Sequence, residues 1–171
     1  MSATPLSSPR LRFNAVAAVV LVASLAAPWA AAAAADPFEK LLGSWSGGGQ
    51  IVGANGHRES IRCKAEYAEA KAGASLDQSI VCASESYKLD IHSYVEAAGE
   101  SVQGYWKEAS RNLSGQVTGR ISAGRFEGEF TAPAFSAAIS LASNGRTQAV
   151  SIEPRGGGDI SAVRIELTRR R

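Results

Sequence analysis

Few residues of this 171-residue chain have the types and the spacing that catalysis requires. No serine lies in a nucleophile-elbow motif, and the two histidines, His57 and His92, offer few options for a general base. Glu127 and Glu129 lie two residues apart and share one face of a strand, but the alternation of their neighbours puts that face in solvent. We therefore expect a protein that is not an enzyme.

Three consecutive glycines, Gly47, Gly48 and Gly49, resemble a phosphate-binding loop only superficially. Such a loop opens a helix, whereas the residues that follow, 50–52, are Gln-Ile-Val and predict a strand. Glycines that let a strand bend at the corner of a barrel explain this run better.

Cys63 and Cys82 are the only cysteines, and their surroundings predict one disulfide. Residues 70–75 between them have the composition of a turn, and a hairpin folded symmetrically about this turn places the two cysteines opposite each other. Directly paired residues have Cβ atoms about 4.5–5.5 Å apart, close to the separation that a disulfide uses. The histidines have no ligand spacing to these cysteines, so we expect no metal ion.

The first 35 residues have the three parts of a secretory signal peptide. Arg10 and Arg12 precede an apolar run over 13–27, and six alanines follow at 30–35. The apolar run has about 15 residues, fewer than the roughly 20 that cross a bilayer. We predict cleavage after Ala35, a folded domain over 36–171 without a membrane span, and a periplasmic or secreted location.

Charge and composition exclude several classes of protein. Residues 36–171 carry 16 basic and 16 acidic side chains, which is not the basic excess of a nucleic-acid-binding protein. An apolar content of 45 % excludes a disordered chain. The three arginines at 169–171 are best interpreted as a solvated chain end, because three charges bind phosphate weakly at physiological salt.

Short alternating segments between turn signals predict an all-β fold. Residues 36–43 predict one short N-terminal helix, capped by Asp36 and ended by Gly43. Because no later connection is long enough for a crossover helix, the strands form an antiparallel meander. A meander of this length closes into an up-and-down β-barrel of eight to ten strands, with a two-sheet sandwich as the alternative. The predicted strands are 44–52, 58–69, 75–84, 87–97, 101–109, 112–122, 125–132, 135–143, 147–153 and 159–168.

Hairpin turns predict which residues face each other across the strands. We place turns at 98–99, 123–124 and 144–145, the last being the strongest signal because Asn-Gly suits a type I′ turn. The first of these hairpins would carry a patch of one histidine and two tyrosines on the outer face of the barrel. The predicted pairs are Ala65 with Ile80, His92 with Tyr105, Tyr94 with Gln103, Ile121 with Phe126, Val117 with Phe130, Ile139 with Val150, and Leu141 with Gln148.

The segment 42–47, Leu-Gly-Ser-Trp-Ser-Gly, resembles the Gly-x-Trp start of the calycins, the lipocalin and fatty-acid-binding-protein superfamily. Its extension to Gly49 is similar to the opening strand of nitrobindin-like ten-stranded barrels. In calycins this tryptophan plugs one end of the barrel and an arginine of the last strand packs across it. The resemblance implies barrel closure by Trp45 and Arg164, with Arg169 as the other candidate.

Two functions of similar barrels fit this sequence less well. Nitrobindin-like proteins bind haem through a histidine near the end of the barrel, and no histidine follows His92, so we expect no haem and no other cofactor. Small secreted inhibitors of bacterial metalloproteases also have a Gly-x-Trp-like start and one early disulfide. These inhibitors usually have eight strands, and the many strands predicted after Trp106 fit them less well.

Small side chains on the predicted inner face leave room for a ligand, because barrels wider than about eight strands are not easily filled. In the other interpretation the barrel flattens until its glycines let the walls touch. The predicted small inward residues are Gly47, Gly49, Ala65, Ser93, Gly104, Gly115, Gly119, Gly128 and Ala137. The predicted ligand-binding residues are the polar Tyr67, Gln78, Tyr87 and Gln148 and the apolar walls Trp106 and Phe130.

The sequence thus supports two hypotheses of function. The first is an exported, non-catalytic barrel that binds a small apolar or amphipathic molecule. The alternative is a periplasmic module that binds another envelope protein, such as a protease inhibitor.

Overall fold

The computed structural model describes residues 36–71, 74–156 and 158–171 of the chain. The predicted signal peptide, residues 1–35, lies outside the described residues. The strand bounds agree with the predicted ones to within two residues. The strands are β1 (Gly43–Gly53), β2 (Arg58–Lys71), β3 (Ser75–Ala83), β4 (Lys88–Ala98), β5 (Ser101–Glu108), β6 (Leu113–Ser122), β7 (Arg125–Ala132), β8 (Phe135–Ser143), β9 (Thr147–Arg155) and β10 (Ile160–Arg169).

All ten strands form one closed antiparallel barrel. Each strand pairs with the next one in sequence, and β1 also pairs with β10, which leaves the sheet without a free edge. The predicted all-β, up-and-down barrel is confirmed with ten strands, and the sandwich is excluded.

The predicted N-terminal helix is wrong. Residues 37–41 form turns, in which Asp36 Oδ1 accepts a hydrogen bond from Phe38 N at 2.8 Å and Phe38 O accepts one from Leu41 N at 2.7 Å. The segment is too short for the added hydrogen bonds of a helix to offset the free-energy cost of helix nucleation. Burial of Phe38 and Leu41 holds it in place instead. No helix in the described part of the chain is long and apolar enough to cross a membrane.

Strict alternation sorts the side chains into an apolar interior and a polar exterior. Cys63 pairs directly with Cys82 and the two form a disulfide with Cα atoms 4.1 Å apart, as predicted. The predicted pairs of Ala65 with Ile80, Ile121 with Phe126 and Val117 with Phe130 are also confirmed. The register of these pairs is therefore the predicted one.

The predicted register between β8 and β9 is wrong, because each residue of β8 faces a partner two positions further along β9 than predicted. Leu141 faces Val150 and Ile139 faces Ile152, because the turn is centred on Gly145 and Arg146 rather than on Asn144 and Gly145. Asn144 does not have a positive φ, which a type I′ turn would need. Its Oδ1 instead accepts hydrogen bonds from Arg146 N at 2.9 Å and Thr147 N at 2.8 Å, which holds the turn.

The register between β4 and β5 shifts in the same way. Tyr94, and not His92, lies opposite Tyr105, and His92 lies opposite Lys107. The turn is centred on Gly99 and the residue after it, and the positive φ of 62° at Gly99 suits the first central position of a type II′ turn. The predicted patch remains on the outer face, where the rings of Tyr94 and Tyr105 stack with centroids 5.5 Å apart.

We predict that Ala123→Asn stabilises the protein. Ala123 has a φ of 52° and Gly124 a φ of 85°, so both central residues of this hairpin are left-handed, a conformation that asparagine tolerates better than alanine. The free energy of unfolding should rise by roughly 0.5–1 kcal/mol in urea denaturation. Ala98→Asn is the matched control, since Ala98 also precedes a turn glycine but lacks a positive φ. An equal gain in both variants would contradict this explanation.

Candidate functional site

One end of the barrel is sealed by Trp45 and the segment before β1. The Trp45 side chain is completely buried, and its Nε1 donates a hydrogen bond to Leu41 O at 2.7 Å. The guanidinium of Arg169 lies 5.6 Å from the centre of the Trp45 ring and donates hydrogen bonds to Leu42 O and, at 3.2 Å, to Gly145 O. Trp45 and Arg169 are direct cross-strand partners in the ladder that closes the barrel.

The arginine that packs over Trp45 is therefore Arg169, and the prediction of Arg164 is wrong. Arg164 is exposed on the outer face of β10, opposite Gln50. The alternation of β10 already contained the signal, because Val163, Ile165 and Leu167 face inward and position 169 continues that series.

We predict that Arg169→Met destabilises the barrel by roughly 1–2 kcal/mol, from loss of the cation–π contact and two hydrogen bonds. The measurement is urea denaturation followed by tryptophan fluorescence. Arg164→Met, in the same strand but facing solvent, should change the free energy of unfolding by less than about 0.5 kcal/mol. Equal losses in the two variants would show that Arg169 has no special part in closure.

The interior holds an apolar cavity of about 60 Å³. The inward-facing Ile80, Ile91 and Ile152 are only half-buried, because the space beside them is not completely filled. None of the described residues that line the cavity is charged, and the Cys63–Cys82 disulfide is part of its wall. The cavity is much smaller than the roughly 300–1,000 Å³ of pockets for drug-sized ligands.

Four inward side chains with polar groups lie side by side across β2 to β5. Tyr67 pairs with Gln78, Gln78 with Ser93, and Ser93 with Trp106, and we call these four residues the polar row. Gln78 and Ser93 line the cavity. Tyr67 Oη and Trp106 Nε1 are buried and have no hydrogen-bond partner among the described residues. Burial raises the pKa of Tyr67, so its hydroxyl stays protonated and available as a donor.

The structure thus brings three of the predicted polar and aromatic residues together with Ser93. Phe130 also lines the cavity, and its ring stacks on Trp106 with centroids 5.8 Å apart. Gln148 is buried on β9, where both of its amide atoms lack a partner among the described residues. Tyr87 lies apart from these residues, in the connection between β3 and β4.

Two of the predicted inward glycines, Gly119 and Gly128, do not leave open volume in the cavity. Gly119 and Gly128 are cross-strand partners, and a Cβ atom at either position would lie within 2.7 Å of the ring of Phe126. The aromatic ring occupies the space over this glycine pair and itself lines the cavity. The missing side chains are therefore largely replaced by one ring rather than left as open volume.

Glu108 is a buried carboxylate that the sequence analysis did not single out. Its oxygens accept hydrogen bonds from Asp90 N at 3.0 Å, Ser110 N at 3.1 Å and Arg111 N at 2.7 Å. Burial by itself raises the pKa of Glu108, but these hydrogen bonds together lower it below the ordinary value. With its oxygens engaged by the backbone, Glu108 holds the connection after β5. The alternation of Val102, Gly104 and Trp106 would have placed it on the inner face.

We predict that Glu108→Gln lowers the free energy of unfolding by roughly 1–2 kcal/mol at pH 7. Because the pKa of Glu108 is lowered in the folded state, its stabilising effect is complete above the ordinary carboxyl pKa and is lost as the pH falls through the folded value. The difference from wild type should therefore shrink in urea titrations between pH 7 and pH 3. Glu127→Gln, which removes an exposed carboxylate 3.8 Å from Arg125, is the control. A difference from wild type that does not change with pH would contradict this role.

Haem does not fit the interior. Neither histidine faces it, since His57 lies in the turn after β1 and His92 lies on the outer face, 3.0 Å from Asp90. The cavity is also far too small for a porphyrin. Within the described ranges, no group of three or more His, Cys, Asp or Glu side chains is placed to hold a metal ion.

Comparison with known proteins supports the fold. No protein-family model and no curated protein matches the chain. The crystal structure of Rv2717c from M. tuberculosis superimposes with a TM-score of 0.64 at 16 % identity, over 78 % of this chain and 95 % of that one. This likeness and the closed ten-stranded barrel fit a calycin-like fold. The S-type phycobiliprotein lyase CPES from Guillardia theta gives a TM-score of 0.53 at 14 % identity, over 78 % of this chain and 90 % of that one. At these identities the likeness shows the fold alone.

Proposed function

We propose that this protein is an exported, non-catalytic barrel that binds a small, uncharged, apolar or amphipathic molecule in its interior. The observation that carries the proposal is the closed barrel with an internal cavity whose wall is largely apolar and, among the described residues, has no charged side chain. A cavity of this kind favours transfer of an apolar molecule out of water. A disulfide, which is typical of oxidising compartments outside the cytoplasm, supports export.

The size of the cavity limits the ligand. An engineered cavity of about 150 Å³ in another protein accepts benzene or xenon, whereas this one measures about 60 Å³. A ligand of only a few heavy atoms enters without rearrangement of the wall. Lipids and porphyrins would have to displace aromatic side chains such as Phe126 and Phe130.

The proposal includes no catalysis, because Glu129, one of the two carboxylates that the sequence offered for it, and Glu108, the buried carboxylate found in the structure, are used otherwise. Glu129 is on the outer face in an ion pair with Arg155 at 3.0 Å. Glu108 is held by backbone N–H groups. Neither residue lies on the cavity wall.

A protein-binding module is the second candidate. The observation in its favour is Tyr105, which is 61 % exposed and stacked on Tyr94 on the outer face. Aromatic residues are enriched where proteins bind each other. This function would not require the interior cavity, so filling the cavity would leave it intact.

We predict that the protein takes up isobutene or xenon saturably and that Val117→Phe abolishes the uptake. Val117 is buried and lines the cavity, so a phenyl ring there occupies the space that the probe needs. The full chain is expressed, and the purified protein is titrated with the probe and followed by NMR. The intact mass of the purified protein also reports whether it begins at Asp36.

Val81→Phe is the matched control, because Val81 is 41 % exposed on the outside of β3 and should leave uptake unchanged. If Val117→Phe does not fold, Val117→Leu makes the same test with a smaller side chain. No saturable uptake by the wild-type protein, or equal uptake by the inner and outer variants, would overturn the proposal.

A further inference from the structure

We infer that the polar row selects a ligand with a hydrogen-bond acceptor, such as the carbonyl oxygen of a small ketone or aldehyde. This inference rests on the proposed function and names the chemical class of its ligand. The polar groups that the row brings to the cavity wall are those of Gln78 and Ser93, and the rest of the wall is almost entirely apolar. A purely apolar ligand would leave these two groups desolvated and unpaired, which is unfavourable.

The chemistry of the row favours an acceptor over a donor. Trp106 Nε1 only donates, and the neutral hydroxyl of Tyr67 has a proton to donate. Neither group has an acceptor among the described residues, so the row contains more donors than it satisfies. An acceptor brought by the ligand corrects this imbalance, whereas a ligand with only a donor would not.

The register places the buried donors of Tyr67 and Trp106, at the two ends of the polar row, next to the two residues that line the cavity. Directly paired residues have Cβ atoms about 4.5–5.5 Å apart, so Tyr67 neighbours Gln78 and Trp106 neighbours Ser93. The Gln78 amide and the Ser93 hydroxyl both donate and accept. When either one donates to the ligand, its own oxygen can accept from Tyr67 or Trp106, which polarises the bond to the ligand.

The absence of charge from the described cavity wall restricts the class further. A carboxylate or an ammonium group would lose its hydration without gaining a counter-ion there. The ligand class is therefore an uncharged molecule of a few heavy atoms with one acceptor, and not a fatty acid or an amine.

The test compares acetone with isobutene, two molecules of the same shape that differ in having a carbonyl oxygen or a methylene group. Both are titrated by NMR into the wild-type protein and into the double variant Gln78→Met/Ser93→Ala. The ratio of the two dissociation constants should shift against acetone by about fivefold in the double variant, while isobutene binds at least as well. Ser79→Ala/Gln103→Met, the same changes on the outer face, should leave the ratio unchanged.

The indole N–H signals give a second readout. Acetone should shift the Nε1–H resonance of Trp106, while that of Trp45, already bonded to Leu41 O, serves as the reference. If both probes bind with the same ratio in wild type and double variant, the inference is overturned and the proposed function stands. If neither probe binds the wild-type protein, both fail. Should the double variant not fold, Gln78→Met and Ser93→Ala are tested singly by the same ratio.

Discussion

The ladder between β1 and β10 is the constraint on which the other features of this barrel depend. It converts a meander with two free edges into a closed wall, and it sets Trp45 directly opposite Arg169. Closure therefore brings Trp45 and Arg169 into contact. Arg169 in turn stabilises the closed barrel, since from this position it donates hydrogen bonds to the carbonyls of Leu42 and Gly145. Gly43, with a φ of 109°, leaves room for the guanidinium, because a Cβ atom there would lie 3.0 Å from Arg169 Nη2.

Closure also decides what the interior can hold. One end of the barrel is filled by Trp45 with Phe38 and Leu41, all of them buried. Gly119 and Gly128, which might have widened the interior, instead admit the ring of Phe126. What remains is a small apolar cavity beside Gln78 and Ser93, and its volume is too small for a lipid or a porphyrin.

The two register differences show which part of a strand prediction is robust. In both the β4–β5 and the β8–β9 hairpins the centre of the turn lies one residue later than predicted. The cross-strand partner of each residue is therefore two positions away from the predicted partner. Such a shift leaves every side chain on its predicted face, because the faces alternate with a period of two. Face was therefore predictable from alternation, whereas the pairing depended on whether Gly99 and Asn144 occupy particular turn positions.

By itself, the sequence determined the all-β class, the inner and outer faces, and the disulfide between Cys63 and Cys82, because all of these depend on local alternation and on turns between neighbours in the chain. The alternation of β10 places Arg169 on the inner face, but only the tertiary structure decided its contact with Trp45. The tertiary structure also decided that residues 37–41 form turns and that Tyr67, Gln78, Ser93 and Trp106 make one row. It also decided the volume of the cavity. These features depend on the register of several hairpins at once and on how side chains from distant strands fill a shared space, which no local pattern encodes.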